Sequence, residues 1–188
     1  MIERTLKNDR IIGTLRSVDG HGVVRMEDRF ATDVDDLWSA VTDPERLARW
    51  IAIVEGDLRL GGSFRAHFTS GWDGPGRIDA CEPPRMLSAT MSPGADDETV
   101  IEMRLTPDGD ETALVIEERG IPVDELAAHG AGWQVHVEDL RAHLDGGAGR
   151  RTGTAGGSNS RLPTSSWQRF RADPARKRLL AQARRRSR

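Results

Sequence analysis

Residues 121–147, IPVDELAAHGAGWQVHVEDLRAHLDGG, decide the fold. Pro122 stands at the start and Gly146-Gly147 at the end. A first helical turn has no use for the amide hydrogen that proline lacks, and glycine accepts the left-handed backbone that ends a helix. The spacing predicts a helix over residues 123–144. Leu126, Gly130, Trp133, Val137, Leu140 and Leu144 recur at steps of three and four, so one apolar stripe faces a partner layer. Gly130 and Gly132 flank Trp133 closely, and their missing side chains predict a close approach of helix and partner.

That partner is read from the preceding hundred residues. Val24, Met26, Asp28 and Phe30 alternate on one face of a strand over residues 23–30, the aspartate being out of place among apolar neighbours. Asp33 is a cap for a short helix carrying Val34, Leu37, Trp38 and Val41, and Asp43-Pro44 opens a second one over residues 45–50. Strand patterns separated by turn residues follow at 53–60, 63–69, 77–82, 86–91, 99–105 and 112–118, with turns at Gly61-Gly62, 71–76, Pro83-Pro84, 93–97 and Asp108-Gly109-Asp110. The fold class is therefore α+β: a curved antiparallel sheet of six to seven strands wrapped around a long C-terminal helix, with two short helices after the first strand. Such a helix grip leaves a cavity between helix and sheet where side chains do not fill it.

The charge divides the chain. The formal net charge of 188 residues is −3. Residues 1–149 carry 15 Lys/Arg against 29 Asp/Glu, whereas residues 150–188 carry 12 against 1. Three regions are expected: an N-terminal extension at 1–21 able to add a strand, a folded domain at 22–146, and a basic Gly/Ser/Arg-rich tail at 147–188 too poor in apolar residues to bury a core. No apolar run is long enough to span a bilayer, the N-terminus lacks a signal core, and Cys81 is the only cysteine, so a reducing cytoplasm is expected.

Chemical motifs are sparse. The glycines at 61, 62, 71, 74 and 76 fit turns, since no phosphate-binding pattern accompanies them. His129, His136 and His143 repeat every seven residues, and successive ones lie two turns apart, about 10.5 Å, too far for shared metal ligation. Cys81 has the setting of a core thiol, and no nucleophile elbow occurs. Glu102 and Glu118 are the conceivable buried carboxylates, although the parity that buries Ile101, Met103 and Leu105 turns Glu102 outward. The aromatics and methionines are more informative: Trp50, Phe64, Phe68, Met103, Trp133 and Val137 are the expected walls of an apolar chamber, with His136 as a polar group beside it. No metal and no cofactor is expected.

Four stretches carry a family resemblance: FATDVDDLWSAVTDPERLARWI from Phe30, DLRLGGSFR from Asp57, GRIDACEPPRML from Gly76 and GWQVHVEDLRAHL from Gly132. Over residues 22–144 the chain resembles the START-like (SRPBCC, helix-grip) superfamily, and within it the bacterial branch similar to heat-shock-protein ATPase activator homologues. The resemblance implies a helix-grip fold and a function among carriers of hydrophobic ligands, cyclases and dehalogenation-related proteins. It also implies that relatives continue past the long helix with a Trp-, Arg- and Tyr-containing segment. Plausible codons for residues 152–167, shifted by one nucleotide, spell a segment of that kind, so a frameshifted ancestral helix is the hypothesis for the basic tail.

The expected function is binding of a small hydrophobic ligand in the cavity between the long helix and the sheet, without catalysis. One alternative is a chaperone-accessory or stress-response role through a protein partner, which the acidic domain would meet electrostatically. A second is a cyclase- or hydrolase-like enzyme using the same cavity. No specific nucleic-acid partner and no membrane insertion is expected.

Overall fold

The computed structural model describes residues 12–148. In chain order they form β1 (Ile12–Val18), β2 (His21–Phe30), α1 (Val34–Thr42), α2 (Pro44–Leu47), β3 (Ala52–Gly56), β4 (Ser63–Phe68), β5 (Asp73–Glu82), β6 (Met86–Met91), β7 (Thr99–Asp108), β8 (Glu111–Pro122) and α3 (Leu126–Ala148). The basic tail expected at 147–188, with its frameshift hypothesis, falls almost wholly outside these residues.

The caps explain the short helices. Asp33 accepts a hydrogen bond from the Asp36 amide, and Asp43 accepts from the amides of Glu45 and Arg46. Each satisfies donors that a first turn leaves without partners. Pro44 takes the first position of α2, as the sequence suggested, but the helix stops at Leu47, short of the expected residue 50.

The strands form one antiparallel sheet in the order β1-β2-β8-β7-β6-β5-β4-β3. Six strands from β3 to β8 run as a meander, and β2 then pairs with β8, placing Met26 opposite Ile116 and Phe30 opposite Thr112. The sheet has eight strands where six or seven were expected. The additional one is β1, which pairs with β2 along residues 12–18 of the stretch read as an extension. Strand β5 also begins at Asp73, inside the expected 71–76 turn, because Phe64 and Gly76 pair across β4 and β5 and extend the ladder. A register shift between Gly22 and Val23 opposite Gly120, whose φ is +90°, bends the β2–β8 ladder.

Helix α3 covers one half of this sheet. Its buried Trp133, Val137 and Leu140 pack toward β1, β2 and β8. Burial of side chains of this size is worth about 1.5–3 kcal/mol each. The two glycines have separate roles. A Cβ on Gly130 would lie 2.6 Å from the Leu15 side chain on β1, whereas one on Gly132 would meet nothing within 4 Å. Only Gly130 therefore serves close packing, and it does so against β1 beyond the expected domain start. Gly22 plays the same part on the sheet side, since a Cβ there would come within 2.8 Å of Leu126.

The misplaced Asp28 finds its explanation in α3. Arg141 donates to both Asp28 carboxylate oxygens at 2.6 Å. The same guanidinium lies over the Phe30 ring, 5.3 Å from its centroid. A charged pair with a stacked ring thus closes the C-terminal half of α3 onto β2.

Candidate functional site

The other half of the sheet lies under the short helices and forms with them a partly open cavity of about 200 Å³. From the helices come Trp38, Val41 and Leu47; from β4 come Phe64, Ala66 and Phe68. The central strands supply Ile78 and Cys81, then Leu87, Ala89 and Met91, then Ile101 and Met103. Helix α3 contributes Trp133 alone. The cavity therefore does not lie between the long helix and the sheet, as the helix-grip order had suggested. Helix α3 seats tightly on β1, β2 and β8, and the space that remains is bridged by α1 and α2, whose four-residue second helix is too short to fill it.

Of the wall residues expected from sequence, Phe64, Phe68, Met103 and Trp133 line this cavity, and Trp50, His136 and Val137 do not. Trp50 is 1% exposed and donates its indole hydrogen to the Ala40 carbonyl at 2.9 Å, which holds the α2–β3 connection against α1. Val137 is buried one turn further along α3, in the core shared with β2 and β8. His136 is 4% exposed and lies directly behind the wall: its ring meets Phe68 and Trp133 edge-on, with 5.9 Å between centroids in both pairs. Cys81 faces the cavity as a free thiol.

Phe64 is held at the wall by a glycine. A Cβ on Gly76 would fall 2.3 Å from the Phe64 ring, so the ring lies flat over a position that only glycine leaves open. Gly76→Ala is expected to swing that ring away and to cost about 1–3 kcal/mol. Chemical denaturation checks the cost, and an unchanged midpoint would show that the ring relocates freely.

A buried carboxylate adjoins the cavity behind Trp133. Glu118 follows Thr112, Leu114 and Ile116 on the inward face of β8 and is 5% exposed. Trp133 Nε1 donates to it at 2.7 Å, Thr99 Oγ1 donates at 2.9 Å, and His129 Nδ1 lies 3.1 Å away. Burial by itself pushes the Glu118 carboxyl up. The hydrogen bond and charge of His129, with the bonds from Trp133 and Thr99, more than reverse this and hold it below the ordinary glutamate value. His129 is raised in turn, chiefly by its hydrogen bond to Glu118 and against partial burial. Strand parity with Leu114 and Ile116 was the signal for burial of Glu118; its partners on α3 had no sequence signal. Glu102 does point outward, where it accepts from Arg104 and Arg119.

The three histidines spaced by seven end in three environments. His129 pairs with Glu118, His136 is enclosed by aromatic rings, and His143 lies 3.4 Å from Arg46 Nε. Among the described residues no group of three or more His, Cys, Asp or Glu is arranged to hold a metal ion. No helix among them is long and apolar enough to cross a membrane.

An antiparallel sheet gripping a long C-terminal helix, with two short helices after the first long strand, defines a START-like, helix-grip protein. The chain belongs to the family described as Activator of Hsp90 ATPase homolog 1-like protein, whose model matches residues 31–145. Its fold family includes proteins that bind hydrophobic ligands. Among solved structures it is similar to the crystal structure of CalU16 from Micromonospora echinospora, with 29% identity and a TM-score of 0.61 over 75% of this chain and 88% of that one. It is also similar to DynU16, a protein of the dynemicin biosynthetic locus, with 31% identity and a TM-score of 0.61 over 66% of this chain and 48% of that one. A third similar structure is protein MLL2253 from Mesorhizobium loti, at 26% identity and a TM-score of 0.59 over 65% of this chain and 96% of that one. Comparison with curated protein sequences finds no match.

Proposed function

We propose that the protein binds a small, flat, hydrophobic molecule in the cavity beneath α1 and α2, without transforming it. The observation that carries this reading is a partly open cavity of about 200 Å³ walled by apolar and aromatic side chains from three helices and five strands. Apolar walls of this kind gain packing contacts from an apolar ligand of matching shape. Burying a ligand there gains about 25 cal/mol per Å² of apolar surface, offset by the loss of its freedom. The rings of Trp38, Phe64, Phe68 and Trp133 in the walls direct the choice of probes toward planar aromatic compounds.

The supporting test uses naphthalene, followed by calorimetry and by chemical-shift changes. Saturable binding is expected in the wild type. Ala89→Phe, which places a ring inside the cavity, is expected to weaken that binding at least about tenfold while a cooperative melt persists. Undiminished binding in the folded variant would move the site elsewhere. Absence of binding by any apolar probe would leave the protein-partner role, suggested by the family description, as the better account.

A further inference from the structure

His136 stands out among the buried polar groups because its Nδ1 atom, on a residue 4% exposed, has no hydrogen-bond partner. A buried polar atom without a partner loses the hydrogen bonds it made to water, so each such atom calls for a group that satisfies it. The two rings against its imidazole are Phe68 and Trp133, and both are cavity walls. One ring is tied by a hydrogen bond and the other is held by packing alone. Trp133 is 3% exposed and tied to Glu118 through its indole hydrogen, which leaves that hydrogen spent. Phe68 is only half-buried, near the end of β4, and rests edge-on against Trp72 at the following turn. Rotation of Phe68 toward Trp72 would open the imidazole to the cavity.

We infer that His136 is the polar anchor of the cavity, and that the ligand is an apolar ring system bearing a neutral hydroxyl or phenol which reaches His136 Nδ1 as Phe68 turns aside. The inference rests on the cavity reading above and adds the ligand's chemical class. A hydroxyl both donates and accepts, so it satisfies Nδ1 in either imidazole tautomer. A carboxylate does not fit. Burial holds the His136 proton affinity down, to a pKa of about 4, so the ring is neutral near pH 7, and the Glu118 carboxylate already occupies the far side of Trp133. Of the other polar side chains in the lining, the Trp133 indole hydrogen is committed to Glu118 and the Thr42 hydroxyl to the Trp38 carbonyl at 2.7 Å, which leaves the Cys81 thiol, a weak donor and acceptor.

Three probes of one ring skeleton test this on the full chain: naphthalene, 2-naphthol and 2-naphthoate. Calorimetry is expected to give about tenfold tighter binding of 2-naphthol than of naphthalene, a difference of about 1.4 kcal/mol. Binding of 2-naphthoate is expected to be the weakest. In His136→Phe the preference for 2-naphthol over naphthalene should disappear while naphthalene affinity is kept. A wild-type measurement independent of the variant's folding is the nitrogen resonance of His136 Nδ1, which should move on addition of 2-naphthol and stay in place with naphthalene. Naphthalene binding with no preference for the hydroxyl, or a preference that survives in His136→Phe, overturns the anchor and leaves the cavity reading intact. Tightest binding by 2-naphthoate overturns the hydroxyl class. Failure of all three probes to bind overturns the anchor and the cavity reading together.

Discussion

Trp133→Ala is expected to lower the unfolding free energy by about 3–5 kcal/mol. Two losses combine. The indole is 3% exposed, so its removal leaves a void that enlarges the cavity it already bounds. It is also the donor nearest to Glu118, at 2.7 Å, and its loss strips one of three donors from a buried carboxylate. Hydrogen bonds to charged groups are worth about 1.5–3 kcal/mol, so Trp133→Phe, which refills most of the volume, should still cost more than 1 kcal/mol. Urea denaturation of both variants separates the terms. A loss under about 1 kcal/mol for Trp133→Ala would mean that the indole is not part of the core.

Acidification is expected to remove about 3 kcal/mol of stability through His136 alone. Its folded pKa is lowered from 6.5 to about 4, mainly by burial, with the Glu118 charge opposing the shift. Above pH 6.5 the imidazole is neutral in both states and contributes no pH dependence. As pH falls below 6.5 the unfolded chain takes up a proton that the folded protein refuses until about 4, and stability drops across that interval. His136→Phe should remove this component of the pH dependence. The difference between wild type and variant isolates it from the Glu118–His129 pair, which behaves otherwise. The raised His129 stabilises fully below its unfolded value of 6.5 and loses its effect as pH rises through the folded pKa, while the lowered Glu118 stabilises above 4.5 and loses its effect as pH falls through its own. If wild type and His136→Phe show parallel pH profiles between 4 and 6.5, the imidazole is hydrated and not enclosed.

The helix grip itself was legible because its signals are local. Caps at Asp33 and Asp43, the period-two burial of β7 and the three-and-four stripe of α3 each involve residues a few positions apart, whose geometry is set by the backbone they belong to. Boundaries set by pairing were less legible. Strand β1 and the start of β5 depend on the ladders they join, and neither has a strong pattern of its own. The apolar walls from β4 and β7 could be picked out by composition and parity, but composition does not tell a wall from a core. Trp50, Val137 and Phe64 look equally apolar in sequence, and only packing put Phe64 beside the cavity and the other two away from it.

Tertiary structure decided the partners of the polar interior. Asp28 meets Arg141 across 113 positions of sequence, which turns an apparent fault in a strand into a clasp for the last helix. Glu118 meets Trp133 and His129 because β8 and α3 fold back on each other, and His136 lacks a hydrogen bond at Nδ1 because the two rings beside it offer none. The amino-acid sequence by itself determined the three helices and seven of the eight strands, to within a few residues at their ends, and which face of α3 and β7 is apolar. The tertiary structure decided where the apolar faces fail to meet. Local propensity acts over a single turn or hairpin, whereas a cavity is the residue of how α1, α2 and α3 share the area of one curved sheet.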